Sequence, residues 1–260
     1  MRDANALQDR HALVTGGGKG IGLAIARELL ALGARVTITG RTPSTLDRAR
    51  VALDGGDRLH TVTGDVAEAE GVATTLDAAR AAFGRVDLLI NNAGQAASAA
   101  AGKTDDALWA RMLDVNLTGT FRFCRAVLPE MTAAGWGRIV NVASTAGLRG
   151  YGYVAAYCAA KHGVIGITRA LALELATTGV TVNAVCPGYT ETDIVRDTGD
   201  RIMQKTGRDE AAARAELVKF NPQGRLVTPE EVAEAVGWLC LPGSASITGQ
   251  AIAVAGGEVT

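Results

Sequence analysis

The sequence predicts an α/β fold with one doubly wound parallel sheet and helices on both of its faces. Short runs rich in Val, Ile and Leu recur along the chain, and between them lie longer segments whose apolar residues have helical spacing. This alternation is typical of a parallel sheet that is buried on both faces. The length of 260 residues, with 48% hydrophobic and 20% charged residues, suits one folded domain. No linker, repeat or low-complexity tract divides the chain, so we predict a single domain over residues 1–260.

The short apolar runs are the expected strands, and the longer amphipathic segments are the expected helices. The strands are predicted at residues 12–15, 35–39, 59–63, 88–91, 138–142, 181–185 and 251–254. The helices are predicted at residues 21–32, 44–53, 67–83, 107–132, 155–177 and 229–239. Thr228, Pro229 and Glu231 form a capping-box pattern before the last helix, and Ser44 with Asp47 indicates a similar start for the second.

One segment, residues 189–223, does not follow the alternation. It comes after the sixth predicted strand, is polar, and contains the helix-like run AAARAELVKF. Ligands bind beyond the carboxyl ends of the strands in a doubly wound sheet, so a long excursion there is a candidate substrate lid. A surface helical hairpin or a contact between subunits is the alternative.

The composition argues against several classes of partner. With 26 basic and 27 acidic residues the net charge is -1, and only 4% of residues are aromatic, so we expect no nucleic-acid partner. The polar start MRDANALQDR lacks the apolar core of a signal peptide, and no run is long enough to span a bilayer. The sequence therefore predicts a cytoplasmic protein that does not bind membranes.

The cysteines and histidines do not form a metal-ligand pattern. The three histidines do not pair at helical spacing, and the four cysteines lie far apart at Cys124, Cys158, Cys186 and Cys240. We therefore expect reduced, mostly buried thiols and no bound metal.

A glycine-rich loop follows the first predicted strand and opens the first helix. Its sequence is Thr15-Gly16-Gly17-Gly18-Lys19-Gly20-Ile21-Gly22. Glycines let the backbone turn tightly and approach a pyrophosphate, and a helix N-terminus attracts the anion. The pattern is GxxxGxG rather than the strict GxGxxG, but its place between a strand and a helix predicts a dinucleotide site of the Rossmann type. Asp65 and Val66, at the end of the third strand, are then expected to meet the adenine edge.

The end of the second predicted strand indicates which nucleotide is bound. In such units a carboxylate at this point accepts hydrogen bonds from the ribose hydroxyls of NAD. This chain instead has Gly40 followed by Arg41 and Thr42, and Lys19 lies in the glycine-rich loop. Two cations without a carboxylate favour the 2′-phosphate of NADP, which an Asp would repel.

Three further residues are candidates for the chemistry. Tyr157 and Lys161 are four apart in a helix-forming stretch, so both project from one helix face. An ammonium near a phenol favours the phenolate and lowers its pKa, which is near 10 in water, toward the working range. Tyr157 is then a candidate general acid for a carbonyl oxygen, and Ser144, close after the fifth strand, a candidate hydrogen-bond donor to it.

Together these motifs resemble the short-chain dehydrogenase/reductase family over nearly the whole chain. The matching elements, in the family's order, are Thr15-Gly16-xxx-Gly20-x-Gly22, Asp65, Asn91-Asn92-Ala93-Gly94, Asn116, Ser144, Tyr157-xxx-Lys161 and Pro187-Gly188. The resemblance implies Tyr157 as the acid/base and Ser144 as the residue that orients the carbonyl. It implies Lys161 as a cofactor binder that modifies the pKa of the tyrosine, and Asn116 as support for a proton-relay water.

The resemblance also implies which loops line the cofactor. The implied residues are Asn91, Ala93, Gly94, Pro187, Gly188 and Thr192, with Thr190 as an alternative to Thr192. Structural roles are the alternatives for some members: Asn91 and Asn92 would then stabilise the turn after the fourth strand, and Asn116 would make a structural hydrogen bond.

Within the family, the stretches NVASTAG and GVTVNAVCPGYTET look most like 3-oxoacyl carrier-protein reductases and aromatic polyketide ketoreductases. Where the polyketide enzymes carry a proline and glycines after NNAG, this chain has Gln95-Ala96-Ala97-Ser98. The implied function is reduction of a ketone, preferably a 3-oxoacyl thioester, to a secondary alcohol with NADPH in a homotetramer. A dehydrogenase or reductase of free cyclic, aromatic or aliphatic alcohols and ketones is one alternative, and a catalytically silent NADP-binding sensor is another.

Overall fold

A computed structural model describes residues 3–207 and 209–259, and it confirms the predicted α/β class. Within these residues, seven parallel strands form one sheet. The strands are β1 (His11–Thr15), β2 (Arg35–Gly40), β3 (Leu59–Thr63), β4 (Leu88–Asn91), β5 (Gly137–Val142), β6 (Val180–Pro187) and β7 (Ala251–Val254). Their order across the sheet is β3-β2-β1-β4-β5-β6-β7. Met1 and Arg2 of the polar start, Arg208 of the candidate lid and Thr260 lie outside the described residues.

Helices follow the strands on both faces of the sheet. They are α1 (Gly20–Ala31), α2 (Pro43–Leu53), α3 (Ala69–Phe83), α4 (Asp106–Leu113), α5 (Gly119–Ala133), α6 (Ala155–Glu174), α7 (Asp193–Thr206), α8 (Glu210–Val218) and α9 (Pro229–Cys240). None of the helices in the described residues is long and apolar enough to cross a membrane.

The helix starts confirm one capping prediction and correct another. At α9, Thr228 accepts a hydrogen bond from the Glu231 amide at 3.2 Å, and the Glu231 carboxylate accepts from the Thr228 amide at 2.8 Å. This is the predicted capping box, with Pro229 at the first helical position. The prediction for Ser44 is wrong, because α2 already begins at Pro43 and the preceding residue is its N-cap.

The predicted single helix over residues 107–132 is interrupted. A π-helical turn, Asp114–Thr118, separates α4 from α5. A π turn contains one more residue than an α turn, and its backbone hydrogen bonds join residues five apart instead of four. The apolar periodicity continues through the turn, so it does not reveal the insertion.

The core lies on both faces of the sheet, as the apolar strands require. Neighbouring residues of β1 show this division: Val14 belongs to the cluster packed by α1, α2 and α9, whereas Leu13 belongs to the cluster packed by α3, α5 and α6. Both side chains are fully buried, and each contributes roughly 1.5–3 kcal/mol relative to an exposed position. Burial on two faces explains why the central strands read as continuous apolar runs.

The segment 189–223 forms the helices α7 and α8 beyond the carboxyl end of β6. Val195 and Leu217 of this segment form a small apolar cluster with Leu226, which follows it. Thr190 and Val227 close the excursion at its base through a parallel bridge. This geometry suits both a lid and a surface helical hairpin.

Candidate active site

The candidate site lies at the carboxyl edge of the sheet, where the strand order changes direction. β1 pairs with β2 on one side and with β4 on the other. The chain therefore leaves β1 and β4 toward opposite faces of the sheet. Such a switch point opens a crevice beyond the strand ends. The glycine-rich loop after β1 and the NNAG segment after β4 both border this crevice.

Close backbone packing explains the glycines of the first loop. Gly16 and Gly20 have φ angles of +66° and +53°, which L side chains rarely adopt. A Cβ at Gly22 would lie 2.2 Å from the carbonyl oxygen of Gly16, so only glycine fits there. Gly18 instead packs against Thr45 of α2, where a Cβ would meet the Thr45 methyl group at 3.0 Å.

Side chains of the predicted set also join this loop to the segment after β4. The Thr15 hydroxyl accepts hydrogen bonds from the amides of Asn92 and Ala93, both at 3.0 Å, and the Asn92 side chain donates to the Thr15 carbonyl at 2.9 Å. The partly buried side chain of Ile21 packs against the core. The side chains of Thr15 and Asn92 therefore hold the crevice walls in register, which agrees with the structural alternative for Asn92.

Asn91 is placed differently from its neighbours. Only 4% of the residue is exposed, and its amide donates to Asn141 Oδ1 at 2.9 Å and contacts Cys124 Sγ at 3.3 Å. The Asn141 amide continues the network to Thr168 of α6 at 2.9 Å. The Asn91 side chain thus points into the core, as its structural alternative requires, and a cofactor contact would have to come from its main chain.

Ser144, Tyr157 and Lys161 come together at the carboxyl end of β5. Tyr157 is hydrogen-bonded to Ser144, and the Ser144 oxygen accepts from the Ala146 amide at 3.1 Å. The Lys161 ammonium donates to the Val142 carbonyl at 2.8 Å and lies 5.7 Å from the centre of the Tyr157 ring. The helical spacing therefore brings the two α6 side chains to one place, as predicted.

Burial controls the protonation of this group. It raises the pKa of Tyr157 to about 12, against the opposing effect of the Ser144 hydrogen bond. It also lowers the pKa of Lys161 to about 8, because the ammonium is removed from water. The expected lowering of the Tyr157 pKa by Lys161 is therefore not found: desolvation is the largest influence, and the phenol keeps its proton at neutral pH.

Asn116 lies in the π turn and connects it to the loop after β4. Its side chain accepts from the Gln95 amide at 3.2 Å and donates to the Gln95 carbonyl at 3.0 Å. Its main-chain carbonyl accepts from the Thr120 hydroxyl at 3.1 Å. A Cβ at Gly94 would lie 2.9 Å from Asn116 Oδ1 and 3.7 Å from Lys161 Nζ, so Gly94 permits this close approach. The side chain of Asn116 makes structural bonds, and its support of a relay water stays a prediction.

The two cations predicted for the 2′-phosphate both face carboxylates. Arg41 lies 4.0 Å from Asp65, and Lys19 lies 3.1 Å from Asp193 at the start of α7. Both pairs are exposed, so each cation can exchange its partner at small cost. Sequence reasoning missed the role of Asp193, since no motif marks it and it is 174 positions from Lys19.

Thr42 and Val66 lie beside these cations. Thr42 is the N-cap of α2, and Val66 is only 8% exposed because its backbone packs closely on Gly119 of α5. The Asp65 carboxylate accepts from the Ala67 amide at 3.0 Å. An adenine contact at this point would therefore involve the edge of Asp65 and the backbone more than the Val66 side chain.

The segment after β6 reaches back to the glycine-rich loop. Pro187 ends β6, and the Gly188 amide donates to Val254 of β7 at 3.1 Å. The hydroxyl of Thr190 is buried and donates to the Gly188 carbonyl at 3.0 Å. Thr192 instead lies against Gly20, where a Cβ would meet its methyl group at 3.2 Å. Of the two alternatives, Thr192 is thus the one that borders the crevice.

Known proteins share this sequence and architecture. The sequence profile of the short chain dehydrogenase family matches residues 10–202. The ketoacyl reductase assigned to the monensin polyketide synthase of Streptomyces virginiae is 45% identical over 256 residues, which are 95% of this chain and 96% of that protein. The 3-oxoacyl-[acyl-carrier-protein] reductase of Vibrio cholerae is 39% identical over 251 residues, covering 96% and 98%. A crystal structure of a variant of actinorhodin polyketide ketoreductase with NADPH superimposes with a TM-score of 0.92 at 41% identity, covering 96% of this chain and 97% of that one.

Proposed function

Because the chain belongs to the short chain dehydrogenase family, we propose that it is an NADPH-dependent ketoreductase that reduces a ketone to a secondary alcohol. The observation that carries this proposal is the meeting of Ser144, Tyr157 and Lys161 beside the glycine-lined crevice, with the proton held on Tyr157. The relatives named as ketoacyl and 3-oxoacyl reductases favour this function over a free-alcohol dehydrogenase or a silent sensor.

The residues of the crevice fit a dinucleotide cofactor. The close packing that Gly16 and Gly22 permit lets the loop turn directly into α1, and the N-terminus of α1 favours the pyrophosphate of a dinucleotide. Lys161 and Thr192 would contact the ribose and the nicotinamide end. NADPH supplies the hydride when it is bound.

The side chains of the chain handle the proton. Tyr157, protonated at neutral pH, donates to the substrate carbonyl oxygen. The Ser144 oxygen accepts from the Ala146 amide, and its hydroxyl is hydrogen-bonded to Tyr157. With substrate bound, the Ser144 proton would donate to the same carbonyl oxygen instead. Lys161, with a pKa of about 8, is charged at neutral pH and stabilises the phenolate that remains.

Arg41 and Lys19 account for the choice of NADP(H). Each would release its carboxylate partner, Asp65 or Asp193, and bind the 2′-phosphate instead. A charge-assisted bond to phosphate is worth roughly 1.5–3 kcal/mol, whereas an exposed ion pair contributes about 0–1 kcal/mol, so the exchange is favourable.

The substrate class we favour is a 3-oxoacyl thioester, by likeness to the named reductases. We also propose a homotetramer, since the large apolar side chains Trp109, Phe121 and Leu173 are 43%, 41% and 81% exposed on α4, α5 and α6. Light scattering during size exclusion tests this, and a lone monomer would contradict it. A cytoplasmic location stays a prediction.

The experiment is NADPH oxidation, followed by absorbance, with a 3-oxoacyl thioester and with free cyclic and aliphatic ketones. We expect turnover with the thioester, and Tyr157→Phe should lower kcat by roughly 10²–10⁴-fold because positioned acid catalysis contributes that much. Quenching and shift of NADPH fluorescence should show that the variant still binds cofactor. No turnover of any ketone by the wild type contradicts the function, and a variant that keeps more than about a tenth of kcat contradicts the role of Tyr157.

A further inference from the structure

A second group of polar side chains meets beside the proposed active site. Tyr151 lies in the loop between Ser144 and Tyr157, and its hydroxyl is hydrogen-bonded both to Thr145 Oγ1, at 2.9 Å, and to the carboxylate of Glu258. Glu258 is 107 positions away, near the end of the chain. The sequence gives no motif for either residue.

The direction of these bonds follows from the chemistry of the groups. A carboxylate only accepts, and a phenol has a single proton, so Tyr151 donates to Glu258 and accepts from Thr145. Burial and the Glu258 carboxylate together raise the pKa of Tyr151 above its usual range, so this proton stays on the phenol. Thr145 is 5% exposed and is the direct neighbour of Ser144, so the chain of bonds ends at the residue next to the proposed carbonyl donor.

Glu258 also contacts the cofactor side of the crevice. A Cβ at Gly188 would lie 2.9 Å from Glu258 Oε2, so the carboxylate packs directly on the segment that follows β6. One oxygen of Glu258 therefore faces the loop that bears Tyr151, and the other faces the proposed nicotinamide end. A single side chain spans the two walls.

The lid contacts the same place. Phe220, just after α8, packs edge-to-face on Tyr151 with ring centres 6.3 Å apart. The Arg149 guanidinium lies 4.9 Å from the Tyr151 ring centre and 5.5 Å from that of Phe220. Tyr151 is thus the point where the loop, the end of the lid and the C-terminal segment meet.

The loop has a local turn after Ser144, and at its other end the Tyr153 carbonyl accepts from the Ala99 amide at 2.8 Å. The residues between these two points depend most on the Tyr151 anchor. Gly150 and Gly152 flank Tyr151, and a Cβ at either would meet nothing within 4 Å, so packing does not require glycine there. Two glycines without steric restraint give the loop conformational freedom that must be lost when Ser144 and Tyr157 are held in place. In the loop of residues 145–153, Tyr151 is the side chain bonded to a distant part of the chain.

We propose that Glu258 is a positioning residue for the reaction: through Tyr151 it fixes the 145–153 loop, and so the distance of Ser144 from Tyr157, against the Pro187–Gly188 wall. The inference rests on the proposed function. It assigns Glu258, in the C-terminal segment, a role that acts through Tyr151.

The test compares Tyr151→Phe, Glu258→Ala and Glu258→Gln in the full chain. The first two variants remove the Tyr151–Glu258 hydrogen bond, and kcat should then fall roughly tenfold, which corresponds to the lower end of the free energy of a hydrogen bond to a charged group. The Kd for NADPH should stay within about twofold of the wild-type value. Glu258→Gln keeps an acceptor oxygen and should recover most of kcat. The double variant Tyr151→Phe/Glu258→Ala should be no slower than the slower single variant, because both changes break the same bond. Asp9→Asn, an exposed carboxylate paired with Arg35 at the amino end of the sheet, is the matched control and should leave kcat unchanged.

Hydrogen exchange of residues 145–153 is the second readout, and it separates this inference from the proposed function. If the wild type reduces no ketone, the function fails, but exchange of the loop should still accelerate in Glu258→Ala and Tyr151→Phe. A kcat within twofold of wild type in both variants, additive losses in the double variant, or unchanged exchange of the loop would each overturn the positioning role.

Discussion

Lys161 allows stability and activity to be separated in one experiment. The residue is 4% exposed, and its ammonium donates to the Val142 carbonyl at 2.8 Å. Burial lowers its pKa from 10.5 to about 8, so the folded chain releases this proton more readily than the unfolded chain. Between about pH 8 and 10.5 the unfolded state binds more protons, and stability rises with pH through that window; below it the whole cost is present.

The size of the cost follows from the pKa difference. At 1.36 kcal/mol for each pKa unit, holding the charged ammonium in the folded chain costs about 3 kcal/mol at pH 7. Replacement of Lys161 by Met removes this cost and also loses the bond to Val142, which is worth about 1 kcal/mol. Lys161→Met should therefore stabilise the cofactor-free protein by about 2 kcal/mol, or about 4–8 °C in Tm, while it abolishes reduction.

Thermal unfolding at pH 7 and at about pH 10, without cofactor, checks this expectation. The gain in Tm should be present at pH 7 and should nearly vanish at the higher pH, where the wild-type lysine is neutral in the folded state. Lys103→Met, which changes an exposed lysine, should leave Tm unaltered at both pH values. A lower Tm for Lys161→Met at pH 7, or a gain that does not change with pH, would refute the account of a desolvated cation.

Three further outcomes are expected. Gly40→Asp should lower kcat/KM with NADPH at least tenfold and raise it with NADH, because its carboxylate would repel the 2′-phosphate and pair with Arg41. There is room for the change, since a Cβ at Gly40 would meet only Leu46, at 3.5 Å. Gly40→Ala should keep the NADPH preference, and a wild type that prefers NADH would contradict the interpretation. Tyr153→Gly should raise the free energy of unfolding by about 1 kcal/mol in urea titrations, because Tyr153 holds a φ of +66° while its side chain is 74% exposed; a clear loss of stability would show that the ring is needed. Amide hydrogen exchange in α7 and α8 should be fast in the free protein and slow with NADPH and substrate bound, and equal protection in both states would favour the fixed helical hairpin over the lid.

The strands could be predicted well because strands buried on both faces consist of consecutive apolar residues. The bounds of β3, β4 and β7 agree with the predictions, and the glycine-rich loop and the Tyr157–Lys161 spacing could be placed because each depends on neighbours in the chain. The same local logic identified the Thr228 capping box.

The interactions that the sequence did not reveal connect distant positions or depend on burial. Asp193 pairs with Lys19, and Glu258 with Tyr151, across more than a hundred positions, and a carboxylate on a surface segment has no local sign of its partner. The direction of the Tyr157 pKa shift also escaped prediction. It is a balance between desolvation, which raises the pKa, and the Ser144 hydrogen bond, which lowers it, and only the packed structure determines the extent of desolvation.

The π turn before α5 limits how this site can change over evolutionary time. Asn116 faces Gln95 because one residue more than an α-helix needs is accommodated between Asp114 and Thr118. The wider turn absorbs this extra residue, so deletion of one residue there would restore a regular helix without rotating α4 relative to α5. The same deletion would remove the wide turn that brings the Asn116 side chain to Gln95. A change of length at this turn would therefore alter the candidate site while the packing of both helices on the sheet stayed in place.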